Sequence, residues 1–100
     1  MDIFSLELRK LGLKEKEARV YLAGLELGPD SLQNIAKKSD ITRPTAYGIV
    51  KILREKGLFR EIQQGKKRLF VANSPEKILH ILHLQKRELE EREREFIRII

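Results

Sequence analysis

The sequence predicts an α+β fold, mainly helical, in which one short hairpin closes a set of helices, and three observations predict it. Up to Leu58, apolar residues recur at three- and four-residue spacing, punctuated by capping residues and glycines. Between Leu58 and Ala72, two strand-like runs, LFREIQ and KKRLFVA, flank Gln64-Gly65. From Ser74 onward the chain reads as one long helix.

One hundred residues without an internal repeat is the size of one domain, and 41% apolar residues suffice for a small core. The absence of cysteine excludes disulfides, thiolate metal sites and cysteine nucleophiles. No stretch approaches the roughly 18 consecutive apolar residues of a membrane span. Acid and base interrupt MDIFSLELRK too early for a signal peptide. A cytoplasmic location is the expectation. The net charge of +6 is unevenly placed: residues 1–36 hold five bases and six acids, 37–68 ten and three, 69–100 six of each. All the excess positive charge lies between Lys37 and Arg68, the footprint expected of a polyanion partner.

Asp2 can cap a short helix with apolar positions Phe4, Leu8 and Leu11, which Gly12 ends. A second helix runs from about Lys14 to Leu27, with Ala18, Tyr21, Leu22 and Leu25 on one face, and Gly28-Pro29 stops it. Lys14 stands where Ser or Thr would complete a capping box with Glu17, so this start is expected to fray. Asp30 or Ser31 caps a third helix through Lys38, with Leu32, Ile35 and Ala36 inward. Ser39, Asp40 and Ile41 form a tight turn, in which Asp40 best tolerates a left-handed backbone and Ile41 fills the angle between helices.

The fourth helix occupies about residues 42–56, capped by Thr42 or Arg43, with Pro44 in its first turn. At about 100° per residue, Ala46, Ile49, Val50 and Leu53 gather on one side, and Arg43, Pro44, Tyr47, Gly48, Lys51 and Glu55 on the other. A buried face opposite small or basic groups is what insertion into the major groove requires. Helix, short turn and second helix make a helix-turn-helix, and the hairpin over about residues 58–72 makes it a winged one. A two-residue turn at Gln64-Gly65 pairs Glu61 with Arg68 and Phe59 with Phe70, while a three-residue loop with Gly65 left-handed is the alternative. Either way Lys66, Lys67 and Arg68 lie near the hairpin tip, available to phosphate.

The runs LGLKEKEARVYLAGLELG, Leu11 to Gly28, and IAKKSDITRPTAYGIVKILREKGL, Ile35 to Leu58, resemble the N-terminal winged-helix domain of TrmB-type transcriptional regulators. The likeness extends over about residues 3–80, and Glu17-Ala18-Arg19-Val20-Tyr21-Leu22 is its most specific part. Such proteins typically repress or activate sugar-transport and metabolic genes, with the sugar bound by a larger C-terminal domain that these 100 residues do not include. The resemblance therefore implies DNA binding through Arg43, Thr45, Tyr47, Gly48 and Lys51, with the wing at Lys66, Lys67 and Arg68, but not sugar sensing; Thr42, at the start of the same helix, is placed with the DNA-binding residues. Lys14 and Pro44 depart from the usual pattern.

Ser74-Pro75 opens the last helix. Ile78, Leu82, Leu89, Phe96 and Ile99 lie on a seven-residue repeat completed by Gln85 and Arg92, a coiled-coil seam for dimerisation. The apolar end Phe96 to Ile100 needs a covering partner, which points to a dimer or to a piece of something longer. His80 and His83, spaced three apart, lack enough nearby acids for a metal site. Nor do the carboxylates converge on a pocket as catalysis requires. The expectation is residues 1–74 as a winged helix-turn-helix DNA-binding domain and 75–100 as a dimerisation helix. The expected partners are double-stranded DNA and a second copy, with no membrane, no cofactor, no enzyme activity and no small-molecule effector within this chain. A protein- or RNA-binding winged helix and a metal-switched repressor are the alternatives.

Overall fold

Tyr21 is a centre about which the chain packs: it is fully buried, and its ring meets two others from distant parts of the sequence. Phe4 stacks on it at 6.4 Å from one side, and Phe59 meets it edge-on at 6.4 Å from another. The computed structural model describes residues 3–100, so the expected Asp2 cap lies outside the described residues. The elements are α1 (Ile3–Lys10), α2 (Glu15–Leu27), α3 (Leu32–Ser39), α4 (Arg43–Glu55), β1 (Phe59–Gln64), β2 (Lys67–Ala72) and α5 (Pro75–Ile99).

Helix α2 runs through the middle. Ala18, Val20, Tyr21, Ala23 and Gly24 are all buried, more of its surface than the one face the periodicity marks out. At Gly24 the missing side chain admits the Phe59 ring, with Ala72 beside it, so that α2 and the hairpin approach closely. The start of α2 is tied down rather than frayed. Lys14 has no side-chain acceptor to offer, but its backbone N–H donates to Glu17 Oε1 at 3.0 Å. That carboxylate is itself buried and takes a second bond from Lys56 Nζ at 3.3 Å, fastening α2 to the end of α4.

Helix α3 is capped by Ser31, whose hydroxyl accepts from the Asn34 N–H at 3.1 Å. It ends where Asp40 takes the left-handed conformation, φ 57°. Helix α4 begins at Arg43 with Thr42 in the capping position; the Thr42 hydroxyl donates to the Thr45 hydroxyl at 3.0 Å and makes no cap bond to backbone. Ala46, Ile49, Val50 and Leu53 are buried, the face the spacing requires.

The hairpin pairs Gln64 with Lys67, Gln63 with Arg68, Glu61 with Phe70 and Phe59 with Ala72. Its two-residue turn is Gly65-Lys66, and Gly65 supplies the positive φ of 63° that the first position of a type II′ turn demands. This corrects the expected pairing by two residues. A shift of two preserves which side chains share a face, so Glu61 and Arg68 still meet, diagonally instead of directly opposite. Asp30 adds a single bridge to the outer side of β2, exchanging two backbone hydrogen bonds with Phe70 at 2.8 and 3.1 Å.

Asn73 closes the unit. It is buried, accepts from the Tyr21 hydroxyl at 2.7 Å through its carbonyl, donates from Nδ2 to Gly57 O at 2.7 Å and from its N–H to Leu58 O at 2.8 Å, and accepts from Arg60 through Oδ1 at 2.6 Å. Ser74 then caps α5 by accepting from the Lys77 N–H. Ile78 lies in the core and Leu82 packs against it, whereas Leu89, Phe96 and Ile99 stand 64%, 64% and 81% exposed. The radius of gyration of 16.1 Å exceeds the roughly 13 Å of a compact chain of this length because the outer part of α5 projects from the globule.

Candidate nucleic-acid interface

The outward face of α4 is assembled by burying its opposite face, so the residues left facing solvent follow from the position of Ala46, Ile49, Val50 and Leu53. Thr42, Arg43, Thr45, Gly48 and Lys51 are exposed, and Tyr47 is about half-exposed. A side chain built at Gly48 would meet no atom within 4 Å, so this point of the helix is bare and open. Arg19 fixes the angle at which α4 leaves α3. Its Nη2 donates to the carbonyls of Ser39 and Asp40.

The hairpin brings its basic residues alongside. A groove of about 320 Å³ is lined by Ser31, Leu32, Gln33, Arg43, Lys66, Arg68 and Phe70, so three cations from α4 and the hairpin meet over a lining without acids. Lys66 is in the turn and Lys67 opens β2, both exposed. Arg68 lies one step further from the tip. Its guanidinium rests 5.7 Å from the Phe70 ring centre and binds Glu61 Oε1 through Nη2 at 2.7 Å. Glu61 also lies 3.4 Å from Arg54 Nη1. The Arg68 hydrogen bond, aided by the charges of Arg68 and Arg54 and opposed by desolvation, holds the Glu61 carboxyl below the ordinary carboxylate range. The same bond raises the Arg68 guanidinium, with Tyr47 contributing.

Thus Arg43, Lys66 and Arg68 converge, and Tyr47, Lys51 and Arg68 line a second, narrower crevice with Arg54. Arg54 is an addition to the residues the sequence points to, and Glu61 enters there only as the cross-strand partner of Arg68. Arg54 had a legible signal, because it lies seven residues beyond Tyr47 and so on the same side of α4. The contact of Glu61 with Arg54 depends on how the hairpin packs against α4 and has no local signal. Among the described residues no group of three or more His, Asp or Glu side chains is arranged to hold a metal ion, and no helix is long and apolar enough to cross a membrane.

A helix-turn-helix with a basic outer helix and a two-stranded wing is a winged helix-turn-helix fold, and comparison with known proteins agrees. Residues 8–76 match the family described as sugar-specific transcriptional regulator TrmB, and the chain belongs to that family. Among solved structures it resembles TrmBL2, an archaeal chromatin protein whose structure shows a novel mode of DNA binding, with 27% identity and a TM-score of 0.73 over 92% of this chain. The chain spans 36% of the length of that relative. The fold also matches a possible transcriptional regulator from Methanosarcina mazei Go1, at 16% identity and a TM-score of 0.67 over 98% of this chain and 88% of that one. A MarR family protein from Bacillus stearothermophilus shares it at 14% identity and a TM-score of 0.63, over 87% and 64% of the two chains. No match was found among curated proteins. The family is one of transcriptional regulators, not of enzymes.

Proposed function

We propose that this chain binds double-stranded DNA as a homodimer in the cytoplasm and regulates transcription, with α4 in the major groove and the β1–β2 wing on the backbone or minor groove. The observation that carries the reading is the convergence of Arg43 at the start of α4 with Lys66 and Arg68 of the hairpin around one acid-free groove, beside the bare position at Gly48. Arg43 and Tyr47 are suited to base edges; Arg can pair bidentately with guanine. Thr42 and Thr45, as hydroxyls at a helix N-terminus, suit phosphate, as do Lys51, Lys66 and Lys67. That TrmBL2 binds DNA supports the same reading.

The homodimer rests on α5. Leu89, Phe96 and Ile99 lie on one seam and are exposed, an arrangement that association of two copies would bury. Ile78 and Leu82 belong to the same seam but are engaged by their own protomer, so the DNA-binding unit, residues 1–74, and the dimerisation helix, residues 75–100, share the first two turns of α5.

Titration of a fluorescent duplex at several salt concentrations tests the DNA reading. A dimer neutralising about 6 to 10 phosphates should lose about 10³- to 10⁵-fold in affinity between 50 and 200 mM salt. A flat response, or no binding at low salt, overturns it in favour of a protein partner.

A further inference from the structure

Between α4 and the hairpin lies a cleft lined by Lys51, Arg54, Glu55, Phe59, Arg60 and Glu61, and of its two carboxylates it is Glu61 that pairs with arginines, Arg54 from α4 and Arg68 from the next strand. Both arginine contacts converge on a single oxygen, Glu61 Oε1, which accepts from Arg68 Nη2 at 2.7 Å and lies 3.4 Å from Arg54 Nη1. The two guanidinium groups come from the two elements assigned above to the groove and to the backbone. A carboxylate in such a surface is repelled by an approaching polyanion, yet here it is the recessed member of the cluster. The Glu61 side chain is 26% exposed, against 43% for Arg54 and 54% for Arg68. The arginines are therefore open to a second anion on their outer side. Carboxylate and phosphate are recognised by the same planar fork.

We propose that Glu61 takes the place of a DNA phosphodiester in the free protein, and that Arg54 and Arg68 pass from it to the backbone when a duplex docks. The inference rests on the DNA-binding reading above and adds Arg54 to its contact surface. In the free state the carboxylate keeps both long side chains ordered and close to where a phosphate will meet them. In the complex it is left as an uncompensated negative charge, which holds affinity below what the cations alone would give.

The test is a double-mutant cycle of wild type, Glu61→Gln, Arg54→Ala and both together, titrated against specific and scrambled duplexes over a salt series, with circular dichroism as the folding control. Glu61→Gln should tighten binding to both duplexes by about two- to tenfold and steepen the salt dependence by about one. Arg54→Ala should cost more in the Glu61→Gln background than in wild type, because Arg54 is then wholly committed to phosphate. If Glu61 only positions the arginines, Glu61→Gln weakens binding and Arg54→Ala costs less in that background, and either result overturns the inference. Wild-type protein that binds no duplex overturns the DNA reading, and this inference with it; wild-type binding without a gain from Glu61→Gln overturns the inference alone. Should Glu61→Gln not fold, the carboxyl-carbon NMR signal of Glu61 in wild type decides. It should shift on saturation with duplex, and an unchanged signal means that the carboxylate keeps its arginines.

Discussion

Arg19 on α2 holds the corner at Asp40: its Nη2 donates to Asp40 O at 3.0 Å and to Ser39 O at 2.7 Å. These carbonyls lie at the C-terminal end of α3, where a cation is favoured by the helix dipole. Asp40 is the one described non-glycine residue with positive φ, so the clamp acts at the most strained point of the turn. Arg19→Met keeps the stem and removes the charge-assisted bonds. It should cost about 1 to 2 kcal/mol, the low side of the range for charged hydrogen bonds because over a third of the side chain meets solvent. Urea denaturation measures it, and wild-type stability in the variant would show the clamp to be idle.

The two parts of the proposed DNA surface should respond differently to substitution. Arg43→Ala is expected to cost about 1 to 3 kcal/mol on a preferred site and little on scrambled duplex. Lys66→Ala and Lys67→Ala should weaken both alike, each lowering the salt slope by about one. Gly48→Glu puts bulk and negative charge into open space, so the fold should persist while binding is lost. A folded Gly48→Glu variant that titrates like wild type would mean that α4 does not enter DNA.

Assembly and folding should separate along α5. Leu89→Asp and Phe96→Asp alter residues that are each 64% exposed, so both variants should remain folded yet sediment as monomers, with reduced DNA affinity because two half-sites no longer act together. Ile78→Asp instead places a charge in the core and should unfold the protein or nearly so. Dimers persisting in both outer variants would place the interface elsewhere.

Alkali should expose the role of Tyr21. Burial, with the charge of Glu76 added, pushes its hydroxyl up to about 12 from an ordinary value of 10.0. The unfolded chain thus releases this proton more readily than the folded one, so the contribution is complete below pH 10 and is lost as pH rises from 10 towards 12. Tyr21→Phe, which strands the Asn73 carbonyl, should cost about 1 to 3 kcal/mol at pH 7. The gap between the two proteins in denaturation experiments should narrow above pH 10; a constant gap would show that Tyr21 titrates alike in both states.

Most of the helices are legible in the sequence because their signals are local. Ser31 and Ser74 cap as their residue type dictates, Asp40 is left-handed where the turn needs it, and the buried side of α4 is the one its spacing draws. The exceptions depend on partners far along the chain. The start of α2 reads as weak because Lys14 cannot accept a bond, yet Glu17 accepts from its N–H and is anchored in turn by Lys56, 39 positions away. The hairpin turn falls at Gly65-Lys66 because Gly65 suits the first turn position, which residue propensities alone did not separate from the second. The Asp30 bridge is one residue long and leaves no periodic trace. At the proposed DNA surface, the exposed residues of α4 follow from one amphipathic pattern, whereas the Arg54–Glu61–Arg68 cluster appears only once strand register and helix packing are both fixed.

Asn73 lies two residues before the start of α5, and its four hydrogen bonds join the end of β2 to Gly57, Leu58, Arg60 and Tyr21. With Ile78 and Leu82 seated beyond it, the base of α5 has no slack, and the helix is a stiff arm rooted in the winged unit rather than a tether. At 1.5 Å per residue such an arm is roughly 37 Å long, so a tilt of about 10° at its root displaces its far end by roughly 6 Å. Were two copies joined through α5 as proposed, the angle at which their arms cross would set the separation of the two reading heads to within one or two base steps. Whatever grips the outer end of α5 therefore has mechanical advantage over which operator spacings the pair can straddle.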